Sequence, residues 1–153
     1  SRGLGDVYKR QGDVIVLANK GSMSRALCGE IMSNYAKSRG IAGIIIDGCV
    51  RDSYTLSQMD FPVYAKGITP NGPYKNGPGE MNFPVSFAGI VINPGDIIVG
   101  DSDGLLAIKP DEHTAELAEI ARKYHAGEEK QLEGILTRGE WPRPWVGFVF
   151  CYA

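Results

Sequence analysis

The hydrophobic residues of this chain fall into short runs bounded by turn residues, with a periodic segment between the first two runs. β-Branched residues in 13–18 predict a strand. Residues 41–46 are apolar at nearly every position, which is typical of a parallel strand buried on both faces. Between them, residues 24–40 predict an amphipathic helix that ends at Gly40. The apolar positions of this helix are Leu27, Cys28, Ile31, Met32 and Tyr35.

The second half of the chain is richer in strand patterns and closes on a long helix. Strands are predicted at 62–65, 84–92, 96–100 and 105–109, and the connections NPGD and DSDG are typical of tight turns. Pro110 and Asp111 begin a helix predicted to run to about residue 132. One strand–helix–strand unit, a β-rich meander and a closing helix predict a layered mixed α/β domain. A doubly wound fold is not indicated, because the chain has neither a GxGxxG nor a P-loop motif.

Composition narrows the class of protein further. A chain of 153 residues with 43% hydrophobic content is about the size of one globular domain. Its 16 basic and 18 acidic residues are scattered and lack the basic patch that nucleic acid requires. Three cysteines without metal-ligand spacing indicate reduced thiols and a cytoplasmic location, with Cys28 and Cys49 as small core residues. No apolar run approaches the roughly 18 residues of a membrane span, so a membrane partner is not expected.

The two ends of the chain differ from the rest. Residues 1–11, SRGLGDVYKRQ, lack periodicity and an initiator Met, and they resemble the translation of a sequencing adaptor. We therefore interpret 1–11 as non-native, packed against nothing, and 12–153 as a domain that lacks its N-terminal part. The apolar run 145–153 is too hydrophobic for a free tail and predicts an oligomer.

The candidate chemistry lies in three charged residues behind the apolar run 41–46. Asp47 precedes a glycine and is interpreted as a turn residue that ends the strand. Arg51 and Asp52 lie where open α/β sheets bind ligands. The guanidinium of Arg51 can bind an anion through two donors, and the carboxylate of Asp52 can bind a hard cation. Asp52 has a second interpretation, as the N-cap of a short helix.

Other polar residues are weaker candidates. The Gly- and Pro-rich stretch 66–80 predicts a long loop, and loops of that length are usually functional or disordered. Within it, Lys66 and Lys75 are either ligands for a second carboxylate or solvated loop charges. His113 and His125 fall in the predicted long helix and are interpreted as solvated surface residues.

Three segments carry a resemblance to a known family. CGEIMSNYAKSRGIAGIIIDGCVRD, FPVYAKGITPNGP and GIVINPGDIIVGDSDGLLAIKP together resemble the 4-hydroxy-4-methyl-2-oxoglutarate aldolases and RraA-like proteins, which include regulators of RNase E activity. The resemblance covers roughly residues 12–147. It implies an α/β fold of the swivelling β/β/α type, similar to phosphohistidine domains. It also implies assembly as a homotrimer or homohexamer.

The resemblance also implies a site. Asp52 would be the single protein side chain bound to a divalent metal, Mg²⁺ or Mn²⁺, and Arg51 would contact the keto and carboxylate oxygens of the substrate. Glu30 would hold metal-bound water, so Arg51 and Glu30 are the catalytic candidates. An acidic residue of a neighbouring subunit, Glu128 or Glu129, would approach the same water. The implied substrate-binding residues are Gly29, Glu30, Ile31, Met32 and Arg51, the first four through backbone amides at a helix start.

The implied function is a divalent-metal-dependent pyruvate aldolase of the class II type. Such a carbon–carbon lyase cleaves 4-hydroxy-4-methyl-2-oxoglutarate, or a related 4-hydroxy-2-oxo acid, to pyruvate, and it also decarboxylates oxaloacetate. The alternative implied by the same resemblance is a non-catalytic regulator that binds a ribonuclease. The presence of Glu30, Arg51 and Asp52 favours the enzyme.

Overall fold

The chain contains two units, and the computed structural model describes residues 12–76, 79–111 and 113–139 of them. The first unit ends at Ile108 and the second begins at Lys109. The elements of the first unit are β1 (Val14–Ala18), β2 (Ala26–Cys28), α1 (Glu30–Ser38), β3 (Gly43–Val50), α2 (Ser53–Gln58), β4 (Val63–Ile68), β5 (Val85–Phe87), β6 (Ile90–Ile92), β7 (Ile97–Gly100) and β8 (Leu105–Ile108). The described part of the second unit holds α3 (Thr114–Arg138). The predictions for 1–11 and 145–153 lie outside the described residues.

Strand β3 is the centre of the first unit. All eight of its residues are buried, and it pairs in parallel with β1, β2 and β4. The predicted parallel strand, buried on both faces, is therefore confirmed. The hydrophobic core joins this strand to α1 and α2, and its buried members are Cys28, Ala36, Ile41, Ile44, Ile46, Val50, Leu56 and Phe61.

The sequence indicated that the strand ends at Asp47, but β3 continues to Val50. The pairing with β4 shifts by one residue between Ile46 and Cys49, which is a β-bulge. Asp47 is 4% exposed, and its Oδ2 accepts a hydrogen bond of 2.8 Å from the amide of Gly21. The prediction was wrong because a buried carboxylate can stay inside a sheet when its charge is matched.

The matching charge comes from Lys66. Its Nζ lies 2.5 Å from Oδ1 of Asp47. Lys66 belongs to β4, so it is not a residue of the long loop, and its interpretation as a ligand at the loop is replaced by this ion pair. Asp47 and Lys66 therefore join β3 to β4 at the bulge.

We expect Asp47→Ala to destabilise the protein by about 1–3 kcal/mol, because the amide of Gly21 loses its acceptor while Lys66, at 44% exposed, stays hydrated. Urea unfolding would measure the loss, with Asp47→Asn as the matched control that keeps an acceptor for the amide of Gly21. Equal stability of Asp47→Ala and the parent protein would contradict a structural role for the pair.

The predicted helix 24–40 is shorter than expected. Its first part is strand β2, and α1 begins at Glu30. The buried residues of α1 are Ser33 and Ala36, whereas the predicted apolar face is exposed at Ile31, Met32 and Tyr35. Small side chains face the sheet, so the four-residue apolar spacing indicated the wrong face. Cys28 and Cys49 are buried free thiols, as predicted.

The remaining strands of the first unit form two antiparallel hairpins. The segment 84–92, predicted as one strand, is β5 and β6 joined by a turn at Ala88 and Gly89, both at positive φ. Strands β7 and β8 agree with the predicted 96–100 and 105–109 to within one residue. In their turn, Oδ1 of Asp101 accepts hydrogen bonds from the amides of Asp103 and Gly104.

Helix α3 of the second unit extends beyond the predicted end near residue 132 and stops at a left-handed Gly139. His125 lies on it, and His113 is its N-cap residue; both side chains are more than two-thirds exposed and lie beside glutamates, as expected of surface histidines. Across the described residues, α3 included, no helix has the length and apolar character that crossing a bilayer requires.

Candidate active site

Two chain segments meet at the carboxyl edge of the sheet. Arg51 and Asp52 follow β3 directly, and Gly29 and Glu30 follow β2. Because β2 and β3 are parallel neighbours, both segments leave the sheet at the same edge, where open α/β sheets bind ligands. The amide of Arg51 donates to the carbonyl of Cys28 at 3.0 Å, which holds the two segments side by side.

The carboxylate of Asp52 joins the two segments. Its Oδ2 accepts a hydrogen bond of 3.1 Å from the amide of Glu30 and lies 3.5 Å from Nε of Arg51. Asp52 occupies the N-cap position of α2, with a left-handed backbone at φ 56° and ψ 35°, but its side chain makes no bond to that helix. The capping interpretation therefore holds for position alone, since the carboxylate binds the first amide of α1 instead. Within the described ranges, Oδ1 of Asp52 has no hydrogen-bond or ion-pair partner.

The start of α1 offers further donors. Its N-cap is Gly29, which has no side chain to satisfy the first-turn amides. Among the residues that the structure describes, the amides of Ile31 and Met32 have no acceptor. These amides and the positive end of the helix dipole favour an anion at this place. The Glu30 side chain, on the same turn, is exposed.

Gly29 leaves the space that the site residues occupy. A Cβ at this position would lie 2.5 Å from Oδ2 of Asp52 and 2.9 Å from Cγ of Arg51. Both distances are shorter than a van der Waals contact, so any larger residue would displace the carboxylate or the arginine. The glycine is therefore required by the close approach of side chains and not by its own backbone angle, which is extended.

The predicted long loop contributes through Gly72. It begins after β4, three residues later than the sequence indicated. A Cβ on Gly72 would lie 3.2 Å from Nη1 of Arg51, so the loop backbone packs beside this guanidinium. Lys75 is exposed and, in the described part of the chain, has no partner. Arg25 also binds this loop, through a hydrogen bond from Nη1 to the carbonyl of Gly72. The sequence did not indicate this contact, because Arg25 was predicted to lie in a helix.

The donor set fits a hydrated hard cation. The described residues contain no group of three or more His, Cys, Asp or Glu side chains that could hold a metal ion. Mg²⁺ differs from structural zinc in needing only one or two carboxylates, because it keeps most of its water. The carboxylate of Asp52, with Oδ1 unpartnered among the described residues, is one such ligand. Glu128 and Glu129 lie on α3 in the second unit, and their approach to a neighbouring subunit's site stays a prediction.

Comparison with known proteins identifies relatives of this chain. The family model described as "RraA-like: Aldolase/RraA" matches residues 7–107. A protein of Halalkalibacterium halodurans named "Putative 4-hydroxy-4-methyl-2-oxoglutarate aldolase" is 39% identical over 81% of this chain and 59% of its own length. The chain spans about three fifths of the length of the curated relatives it matches.

Two solved structures extend the comparison. An uncharacterised protein from Pseudomonas syringae is 29% identical, with a TM-score of 0.76. The match covers 88% of this chain and 68% of the chain of that protein. The RNA-processing inhibitor RraA from Thermus thermophilis is 30% identical, with a TM-score of 0.62. This match covers 68% of this chain and 66% of the RraA chain. These likenesses confirm the expected α/β fold class.

Proposed function

The chain belongs to the RraA-like family of aldolase and RraA proteins, and from this premise we propose that it is a divalent-metal-dependent pyruvate aldolase. Its substrate would be 4-hydroxy-4-methyl-2-oxoglutarate or a related 4-hydroxy-2-oxo acid, with oxaloacetate decarboxylation as a second activity. The names of curated relatives support the aldolase assignment. The observation that carries it is the Asp52 carboxylate, held by the first amide of α1 with Oδ1 unpartnered among the described residues.

Asp52 would hold the cation through Oδ1, and Glu30 would hold water beside it. The cation, Mg²⁺ or Mn²⁺, supplies Lewis-acid stabilisation of the negative charge that develops on the substrate's keto oxygen. Oδ2 of Asp52 stays on the amide of Glu30, so the carboxylate keeps a fixed orientation. A single fixed carboxylate suits an ion that retains water and leaves positions for substrate oxygens.

The substrate's pyruvoyl end would be bound by α1 and Arg51. The unpartnered amides of Ile31 and Met32 would donate to its carboxylate at the positive end of the helix. The planar guanidinium of Arg51 presents several donors in a fixed geometry and would contact the keto and carboxylate oxygens together. Together these groups would bind and orient the 2-oxo acid.

These groups would then carry out retro-aldol cleavage. The C3–C4 bond breaks, the 4-hydroxyl loses its proton and becomes a keto group, and the bonding electron pair passes to the 2-keto group as an enolate. Arg51 stabilises the enolate charge through donors that are in place before the reaction. Glu30 orients the water that accepts the hydroxyl proton and returns a proton to C3. From 4-hydroxy-4-methyl-2-oxoglutarate, both products are pyruvate.

The expected result is pyruvate release that depends on the metal. Purified protein should release pyruvate from 4-hydroxy-4-methyl-2-oxoglutarate, and from oxaloacetate above the uncatalysed rate, with Mg²⁺ or Mn²⁺ present. Treatment with EDTA should remove the activity and added Mg²⁺ should restore it. A lactate dehydrogenase coupled assay measures the pyruvate, with protein-free Mg²⁺ as the control. Equal release with and without the protein would contradict the proposal.

The alternative is a regulator that binds a ribonuclease. It is supported by the likeness to the RNA-processing inhibitor RraA from Thermus thermophilis. Such a protein needs a surface and no chemistry, so the Glu30, Arg51 and Asp52 site would be dispensable. Inhibition of a ribonuclease by protein that releases no pyruvate would favour this alternative.

A further inference from the structure

The segment before β2 is tied to the loop beside the site by a set of hydrogen bonds. The amide of Ala26 donates to the carbonyl of Asn71 at 2.8 Å, and Nδ2 of Asn71 donates to the carbonyl of Ser24 at 3.1 Å. On the other side of the loop, the amide of Thr69 donates to the carbonyl of Val50 at 2.9 Å. The loop is therefore fixed between β2 and the end of β3, immediately before Arg51.

Arg25 makes two contacts with this loop. Its Nη1 donates to the carbonyl of Gly72 at 2.9 Å, and its guanidinium lies 4.0 Å from the centre of the Tyr74 ring. Within the described residues, no carboxylate forms an ion pair with Arg25. A half-buried arginine would ordinarily be expected beside an acidic group, so its binding to a carbonyl and a ring indicates that it orders the loop.

The loop in turn lies against Arg51. Gly72, which accepts the hydrogen bond from Arg25, lies so close to Nη1 of Arg51 that a Cβ on it would be 3.2 Å away. We infer that Arg25 is a positioning residue, which acts through the Gly72 backbone to set the orientation of the Arg51 guanidinium. This inference rests on the proposed function, because it assigns Arg25 a part in presenting Arg51 to the 2-oxo acid.

Losing this contact should reduce catalysis more than it reduces folding. Without Arg25, the carbonyl of Gly72 loses its donor, so the backbone at Gly72 can shift although Thr69 and Asn71 stay anchored. Arg51 then samples several rotamers. A displacement of about 1 Å in a positioning group can lower the rate by about 100-fold. We expect Arg25→Met to lower kcat/KM by about 10- to 100-fold, with a fall in kcat. Mn²⁺ affinity should change much less than kcat/KM, because the amide of Glu30 still holds the Asp52 carboxylate.

The transmission through Gly72 is tested by combining variants. Gly72→Ala places a methyl group against Nη1 of Arg51 and should lower kcat/KM in the same way. Combined with Arg25→Met it should add little further loss, since both changes disturb one contact. Effects of the two changes that multiply independently would overturn the inference. An Arg25→Met protein whose kcat/KM lies within threefold of the parent value would also overturn it.

A matched pair at Tyr74 serves if Arg25→Met does not fold. This ring is 78% exposed, so its loss should leave the protein folded. Tyr74→Leu removes the ring beneath the guanidinium and should lower kcat/KM by about 2- to 5-fold, as expected for an exposed cation–π contact. Tyr74→Phe keeps the ring and should match the parent protein. Equal kinetics for the leucine and phenylalanine variants would overturn the inference.

An NMR measurement separates this inference from the proposed function. The Nε–H resonance of Arg51, recorded without substrate, should shift in Arg25→Met and return toward its original position in Arg25→Lys, which keeps the charge and a donor. If the parent protein releases no pyruvate, the proposed function fails, but this resonance still reports whether Arg25 positions Arg51. A resonance that does not move in Arg25→Met would overturn the inference whatever the kinetics show.

Discussion

Replacing Asp52 with asparagine is expected to abolish metal-dependent pyruvate release while leaving the protein folded. The amide oxygen of asparagine can still accept the hydrogen bond from Glu30, and asparagine tolerates the left-handed backbone of this position. What is lost is the negative charge that holds the cation. Because a catalytic metal contributes several kcal/mol, we expect a loss of about 10³-fold or more in kcat/KM. Mn²⁺ affinity and pyruvate release should be measured on the same preparation.

The alanine variant separates the functional and structural roles of Asp52. Asp52→Ala should be equally inactive but also less stable, because alanine costs about 1–2 kcal/mol in the left-handed region and the amide of Glu30 loses its acceptor. Urea unfolding of both variants would measure this difference. An Asp52→Asn protein with full activity, or one that binds Mn²⁺ as the parent does, would contradict the metal-site proposal.

Arg51→Lys is expected to lower kcat/KM by about 10²- to 10³-fold, equivalent to about 2.7–4 kcal/mol, as for removal of other charge-stabilising donors. Lysine keeps the positive charge but loses the planar fork that contacts two oxygens at once. Substrate binding and turnover should therefore weaken together, and steady-state kinetics would show both a higher KM and a lower kcat. Metal affinity should change little, since the charge beside Asp52 is retained.

A matched control for this change lies on α3. Arg122 pairs with Glu119 on an exposed helix surface, where an arginine-to-lysine change should alter neither kinetics nor stability measurably. Comparable losses in Arg122→Lys and Arg51→Lys would mean that the effect is not specific to the site. Wild-type kinetics in Arg51→Lys would remove Arg51 from the proposed mechanism.

Much of the fold was predictable because its central element has a strong local pattern. A strand that is apolar at nearly every position is expected to be buried on both faces, and all residues of β3 are buried. The position of Arg51 and Asp52 at a ligand-binding edge of the sheet was also predictable. The strand that brings Gly29 and Glu30 to the same edge was not, because β2 had been predicted as part of a helix. The family resemblance then added Glu30, and the structure brings its backbone amide to the Asp52 carboxylate beside Arg51. The role of the Glu30 side chain stays a prediction.

The errors come from interactions between distant parts of the chain. The start of α1 has no local signal, because Gly29 has no capping side chain and the acceptor for the first amide is Asp52, 22 residues away from Glu30. Asp47 resembled a turn residue because its partner, Lys66, lies on another strand. Arg25 carried no motif, and its position beside the loop is visible only in three dimensions.

The left-handed backbone of Asp52 affects the entropy of ligand binding. Aspartate has two side-chain torsions, and the hydrogen bond to the amide of Glu30 restricts both before any ligand arrives. The left-handed backbone, which aspartate tolerates better than most residues, is adopted when the chain folds. The ordering of the carboxylate is therefore completed during folding, and a ligand at Oδ1 loses little affinity to conformational entropy. The group that holds the Asp52 carboxylate ready for a ligand is a main-chain amide, that of Glu30.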